Sequence, residues 1–196
     1  MKTCVPFILL FMFLFGYSAI HAQNKYEREY RIKKSEFPSN ALDLISNKIE
    51  DAKRVKFYKE MDSTKISYEA KLKKDKLWYS IEFSEKGILE DIEILIDPVD
   101  VPNDAFQNIE NYLKANYSKY KIKRLQQQYP TTTDEDVETT LKNAFQNLLL
   151  PTTNYELVIS GQKDRTYLDY EILFDSEGNF KNLRTSLPLN YDHVLY

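Results

Sequence analysis

Trp78-Tyr79-Ser80-Ile81-Glu82-Phe83-Ser84-Glu85-Lys86-Gly87 is the stretch on which the fold turns. Tyr79, Ile81 and Phe83 alternate with Trp78, Ser80 and Glu82, and a strand sends alternate side chains to opposite faces. The run closes on a short polar connection ending in glycine, which predicts a hairpin. The pattern returns as Tyr170-Glu171-Ile172-Leu173-Phe174-Asp175-Ser176-Glu177-Gly178. Upstream, Phe37-Pro38-Ser39-Asn40-Ala41-Leu42 with Ile45 and Ile49 recurs at one fixed offset as Val101-Pro102-Asn103-Asp104-Ala105-Phe106 with Ile109 and Leu113. Self-similarity of this kind predicts two copies of one structural unit, the second carrying an insertion.

Each copy reads as a helix followed by four strands. In the first, Ala41, Leu42, Ile45 and Ile49 share one face at helical spacing, with Ser39 or Asn40 as the expected N-cap. Val55 and Phe57 then alternate with polar neighbours, as do Tyr68, Ala70 and Leu72, and Ile92, Ile94 and Ile96. In the second, Ala105, Phe106, Ile109, Tyr112 and Leu113 form the inward helix face. Its inserted helix, about residues 134–149, follows Asp134-Glu135-Asp136 and places Val137, Leu141, Ala144, Phe145 and Leu148 at helical spacing up to Pro151. The acids suit the positive end of a helix dipole; they lack the glycine and bidentate glutamate spacing of a calcium loop. Residues 23–35 read as a weak leading strand. The expected organisation is 1–22 signal peptide, 23–97 first repeat, 98–190 second repeat and 191–196 C-terminal tail. An α+β fold follows, with a long curved antiparallel sheet of about eight strands and helices on one face.

Export is predicted at the N-terminus. Lys2 precedes an apolar run from Val5 to Phe15, and cleavage after Ala22 leaves no membrane anchor. The run is short for a spanning helix, which needs about 20 apolar residues. The expected location is therefore periplasmic or secreted. Cys4, the one cysteine, falls within the leader, so no disulfide is available and a packed core must carry stability. Acidic residues exceed basic ones, 30 to 27, and the two signs are interspersed, which excludes a nucleic-acid surface.

Catalysis lacks its parts. Beyond the leader one histidine remains, His193, near a chain end, and Asp192-His193 is too little for a metal site. No G-x-S-x-G elbow or phosphate-binding glycine loop occurs. Carboxylate pairs such as Glu90, Asp91 and Glu93 read as solvated surface. The expectation is a non-enzyme without metal or cofactor.

The repeated blocks, from Tyr68-Glu69-Ala70 to Gly87 and from Tyr155-Glu156-Leu157 to Gly178, resemble the PepSY-like, beta-lactamase-inhibitor-like (BLIP-like) proteins of the bacterial cell envelope. The resemblance spans nearly all of residues 36–187. It implies a tandem repeat with helices behind a curved sheet and a free face in front. In the inhibitor that names the family, that face grips a protein enzyme, and related single domains occur in peptidase propeptides. This chain lacks the inhibitor's disulfides and carries an inserted helix, so inhibition of a beta-lactamase does not carry over.

If Tyr79, Ile81 and Phe83 face the helices, Trp78, Ser80 and Glu82 face away, with Glu69 beside them; Tyr167, Asp169 and Glu171 form the matching row of the second copy. Aromatic anchors in a polar surround are a feature of protein-binding surfaces. These seven residues are the expected contact face for an envelope protein or peptide. The alternative is an inhibitor or regulator of a peptidase or other enzyme.

Overall fold

The computed structural model describes residues 23–25, 27–62, 65–133 and 136–186. The expected leader (1–22), Asp134-Glu135 and the expected tail with His193 lie outside these residues. Two short extended stretches come first, β1 (Gln23–Lys25) and β2 (Glu27–Ile32). The first unit is α1 (Ser39–Ile49), β3 (Lys53–Asp62), β4 (Lys65–Lys74), β5 (Leu77–Ser84) and β6 (Leu89–Leu95). The second is α2 (Asn103–Asn116), β7 (Lys119–Pro130), α3 (Val137–Phe145), β8 (Asn154–Lys163), β9 (Thr166–Phe174) and β10 (Phe180–Ser186). The class is α+β, as the alternation and helix patterns predict.

One sheet takes in every described strand, in the order β1-β10-β9-β8-β7-β6-β5-β4-β3-β2. The strands from β10 through β2 are antiparallel neighbours, and β1 adds parallel to β10. The two units join edge to edge where β6 pairs with β7. The expected single leading strand is in fact two. They lie at opposite ends of the strand order although only residue 26 separates them. The sheet is thus curled until its two ends share one chain segment, and the strand count exceeds the expected eight.

One apolar core lies between the helices and a single sheet face. Ala41 and Ile45 of α1, Ala105, Ile109 and Leu113 of α2, and Leu141 and Ala144 of α3 supply the helix side. The strands answer with alternate residues, among them Ile81, Phe83, Ile92, Ile94, Leu157, Ile172 and Phe174, all fully buried. Burial of this apolar surface, at about 25 cal/mol per Å2, is the main stabilising term in a disulfide-free chain.

The repeated motifs lock each helix to its hairpin. Ahead of α1 a 3-10 turn (Lys34–Glu36) leads to buried Phe37 and then Pro38; ahead of α2 the turn Pro98–Asp100 leads to buried Val101 and Pro102. Ser84 to Gly87 and Asp175 to Gly178 close the hairpins alike, the glycine N–H donating to the carbonyl three residues back at 2.8 and 3.0 Å. Gly87 and Gly178 have φ of 69° and 81°, the left-handed region that favours glycine. Asn40 Nδ2 donates to the carbonyls of Lys86 and Gly87, each at 3.0 Å, and Asn108 Nδ2 donates to the Glu177 carbonyl at 2.9 Å. Asn40 therefore clamps a turn rather than capping α1, whose N-cap is Pro38 without a side-chain bond.

The inserted helix differs from expectation at its end. It stops at Phe145, six residues before Pro151, and Asn147 turns the chain with a φ of 50°. Leu148 lies past that stop and is exposed, while its carbonyl accepts from the Tyr129 hydroxyl at 2.9 Å. Asp136 caps the start, accepting from the Thr139 N–H at 2.9 Å. Nor does α3 pack on the second unit alone. Phe145 stacks on Tyr79 of β5 with ring centroids 4.6 Å apart, and Lys48 of α1 lies 5.3 Å from the Phe145 ring. The insertion therefore covers the seam between the units.

Candidate functional site

The face turned away from the helices is polar across its middle, with Trp78, Leu95 and Tyr167 toward one end. Along β5 and β6, Ser80, Glu82, Asp91 and Glu93 alternate with core residues; Glu69 and Lys71 on β4 and Gln126 and Gln128 on β7 do the same. Curling of the sheet turns this face inward and encloses a trough of about 400 Å3. Its lining runs from Glu29 on β2 to Arg184 on β10 and includes ten carboxylates against four basic side chains.

Register brings the carboxylates together. Glu82 stands opposite Asp91, and Ser80 opposite Glu93, across the β5–β6 pair. Glu69 stands opposite Glu82 across β4–β5, and Glu29 opposite Glu60 across β2–β3. Two triples result, Glu29/Glu60/Glu69 and Glu82/Asp91/Glu93, within each of which one oxygen per residue lies within 4.8 Å of the others. The reading of Glu90, Asp91 and Glu93 as solvated surface is thereby corrected. Asp91 and Glu93 are two apart, so they share a face, and Glu93 is 6% exposed.

The triples are balanced differently. Lys71 Nζ lies 2.5 Å from Glu29 Oε2 and 2.8 Å from Glu69 Oε2, and Ser80 donates to the other Glu69 oxygen. Burial alone lowers the lysine pKa; the attraction of Glu69 and Glu29 outweighs it and raises the value above the ordinary. In the second triple amides donate to Glu93 and Asp91. Gln126 Nε2 lies 2.5 Å from Glu93 Oε2, and Gln128 Nε2 lies 3.1 Å from Asp91 Oδ2. Burial, reinforced by Glu90, pushes Asp91 up to about 7. Burial also raises Glu93 well above the usual carboxylate range, with Glu156, Glu82 and Asp91 adding to it and Arg124 opposing. Further along, Arg124 lies 3.6 Å from Glu156 and Arg184 3.9 Å from Glu171.

Of the seven residues expected from sequence, Glu69, Glu82 and Glu171 line the trough, and Ser80 lies beneath it, bonded to Glu69. The other three stand apart from it. Trp78 is half-buried on the same sheet face, with the Arg54 guanidinium and the Lys73 ammonium each 5.4 Å from its ring. Asp169 is ion-paired to Lys123 at 2.7 Å, and Tyr167 is exposed beside Lys119, Lys121 and Lys123. Trp78 and Tyr167 thus sit near cations, about 13 Å along their strands from Glu82 and Glu171. Sequence reading missed Asp91, Glu93, Gln126 and Lys71, whose grouping depends on cross-strand register.

The described residues contain neither histidine nor cysteine. None of their helices is long and apolar enough to cross a membrane. No protein-family model matches the chain, and no curated protein matches it in sequence. Solved structures do resemble it. A DUF2874 family protein from Bacteroides ovatus is 11% identical over 76% of this chain and 87% of its own, with a TM-score of 0.51. A candidate periplasmic protein from Bacteroides eggerthii is 11% identical over 76% and 88%, with a TM-score of 0.50. A BLIP-like protein from Bacteroides fragilis is 12% identical over 76% and 86%, at a TM-score of 0.48. The likeness is one of fold.

Proposed function

We propose that the chain is a periplasmic binding protein that receives a protein or peptide with a basic contact surface on the inward sheet face. The observation that carries this reading is the asymmetry of the sheet. Three helices seal one side, while the other keeps an acidic trough of about 400 Å3. Complementary charge gives such a surface both fast association and discrimination against acidic partners. Trp78 and Tyr167, on the same face beyond the trough, serve as outlying contacts. The location rests on the apolar leader together with the periplasmic character ascribed to the Bacteroides eggerthii relative of this fold.

The test uses residues 23–196 as bait in envelope extracts, with identified partners re-measured by titration. Glu82→Lys and Glu171→Lys should abolish salt-sensitive binding, Trp78→Ala and Tyr167→Ala should weaken it, and Glu110→Lys on exposed α2 should leave it intact. Binding that survives both trough reversals refutes the assignment. If the bound partner is an enzyme whose turnover falls on stoichiometric addition, the module is an inhibitor rather than a carrier.

A further inference from the structure

The two units differ at one matched position on the face turned away from the helices. Aligned on Tyr79 and Tyr170, Trp78 of the first unit takes the place that Asp169 takes in the second. The register agrees strand by strand. Lys53, Lys73 and Trp78 stand opposite one another across β3, β4 and β5, as Lys121, Ser160 and Asp169 do across β7, β8 and β9. The first strand of each unit bulges just past its row, at Lys53–Lys56 and at Ile122–Arg124.

In the second unit the bulge carries Lys123, whose ammonium donates to both Asp169 oxygens at 2.7 Å. In the first it carries Arg54, and Trp78 stands where the carboxylate would. The Arg54 guanidinium and the Lys73 ammonium are each 5.4 Å from the Trp78 ring. Among the described residues the ion-paired cations are Lys65, Lys71, Lys114, Lys123, Arg124 and Arg184, so neither Arg54 nor Lys73 has an acid of its own. An indole gives a cation its π face but no lone pair for its N–H groups. Arg54 is also held at a φ of 57°, in the left-handed region that other residues than glycine enter at a cost. Bulges and strained backbone are over-represented where a side chain is re-aimed for function.

We propose that Arg54, Lys73 and Trp78 form a site for a carboxylate that a peptide guest carries beside an apolar residue. The group they lack is the one Asp169 supplies in the second unit, and the planar fork of a guanidinium matches a carboxylate. Leu95, 43% exposed, stands opposite Trp78 and extends an apolar shelf beside the two cations. The site lies about 13 Å along β5 from Glu82. That exceeds the screening length of about 8 Å in physiological salt, so an anion held here is largely screened from the acidic trough. The site rests on the binding role proposed above only in taking a peptide for its guest.

Trp78 is the single tryptophan of the chain, so its fluorescence reports this site directly. The experiment titrates a blocked leucyl-glutamyl-leucine peptide, and separately its glutamine counterpart and inorganic phosphate, into residues 23–196, with excitation beyond tyrosine absorption. The expected result is a saturable change at millimolar glutamate peptide that the glutamine peptide does not produce. Arg54→Gln and Lys73→Gln should each weaken binding about tenfold, the loss of one charge-assisted hydrogen bond, with far-UV circular dichroism unchanged. Arg54→Gly, which suits the left-handed backbone, should lose binding to the same extent and so separates loss of the cation from loss of fold. Lys142→Gln, on the exposed side of α3, should have no effect. No saturable change at millimolar peptide overturns the proposal. So does binding that survives Arg54→Gln and Lys73→Gln together, or a site filled equally by the glutamine peptide or more tightly by phosphate. The probe carries no basic group, so its failure leaves the trough reading standing, and failure of the trough reversals leaves this site standing.

Discussion

Asp91 and Glu93 hold their protons more tightly than the same side chains do in water. Burial is the first cause in both, and neighbouring carboxylates add to it. An unfolded aspartate titrates near 3.9 and folded Asp91 near 7, so between these values the native state holds more protons than the unfolded one. Stability therefore falls as pH rises from about 4 to about 7, and Glu93 acts in the same direction. Urea melts across this range should show the decline, and Asp91→Asn should flatten it. A midpoint that rises with pH would contradict the assignment. None of this was visible in the string Glu90-Asp91-Ile92-Glu93. Alternation tells which residues share a face, but whether that face is wet depends on curvature and on the strands opposite, Glu82 and Gln126 here.

At the scale of elements, the hairpin glycines are not equivalent. A Cβ built at Gly87 would collide with the Asn40 carboxamide, a side chain able to rotate away. At Gly178 the obstacle is the Ala105 carbonyl oxygen, part of the α2 backbone. Both positions carry the left-handed penalty of about 1–2 kcal/mol. Gly178→Ala should therefore lower the urea midpoint clearly more than Gly87→Ala, with the slope unchanged. Equal losses would mean that the clamp between hairpin and helix bears little load. These elements were legible because Pro38, Gly87, Pro102 and Gly178 punctuate the chain where local geometry demands them. The inserted helix was legible in its start and face. Its end was not, because the Asn147 turn and the fastening of Leu148 by Tyr129 are tertiary. Its seat across the seam, with Phe145 on Tyr79, depends likewise on a contact between units.

For the whole molecule, the decisive surprise is the leading segment. Arg28 interrupts its alternation, and nothing local signals that residues 23–25 pair with β10 while Glu27–Ile32 pairs with β3. Removing residues 23–25 should leave that side of β10 without a neighbour. Exposed sheet edges template association. The shortened chain should self-associate with increasing concentration in sedimentation experiments, while the chain from residue 23 should not. Monomeric behaviour of both would show that β1 contributes nothing to closure. The curl also constrains recognition. Many proteins capture extended peptides by lending them a rim of unsatisfied backbone on which to lie as one more ribbon. Here both rims belong to one thread of chain, β1 and β2, and the enclosed face between them presents side chains rather than backbone. A guest would be read through its functional groups, which makes its composition matter more than its conformation.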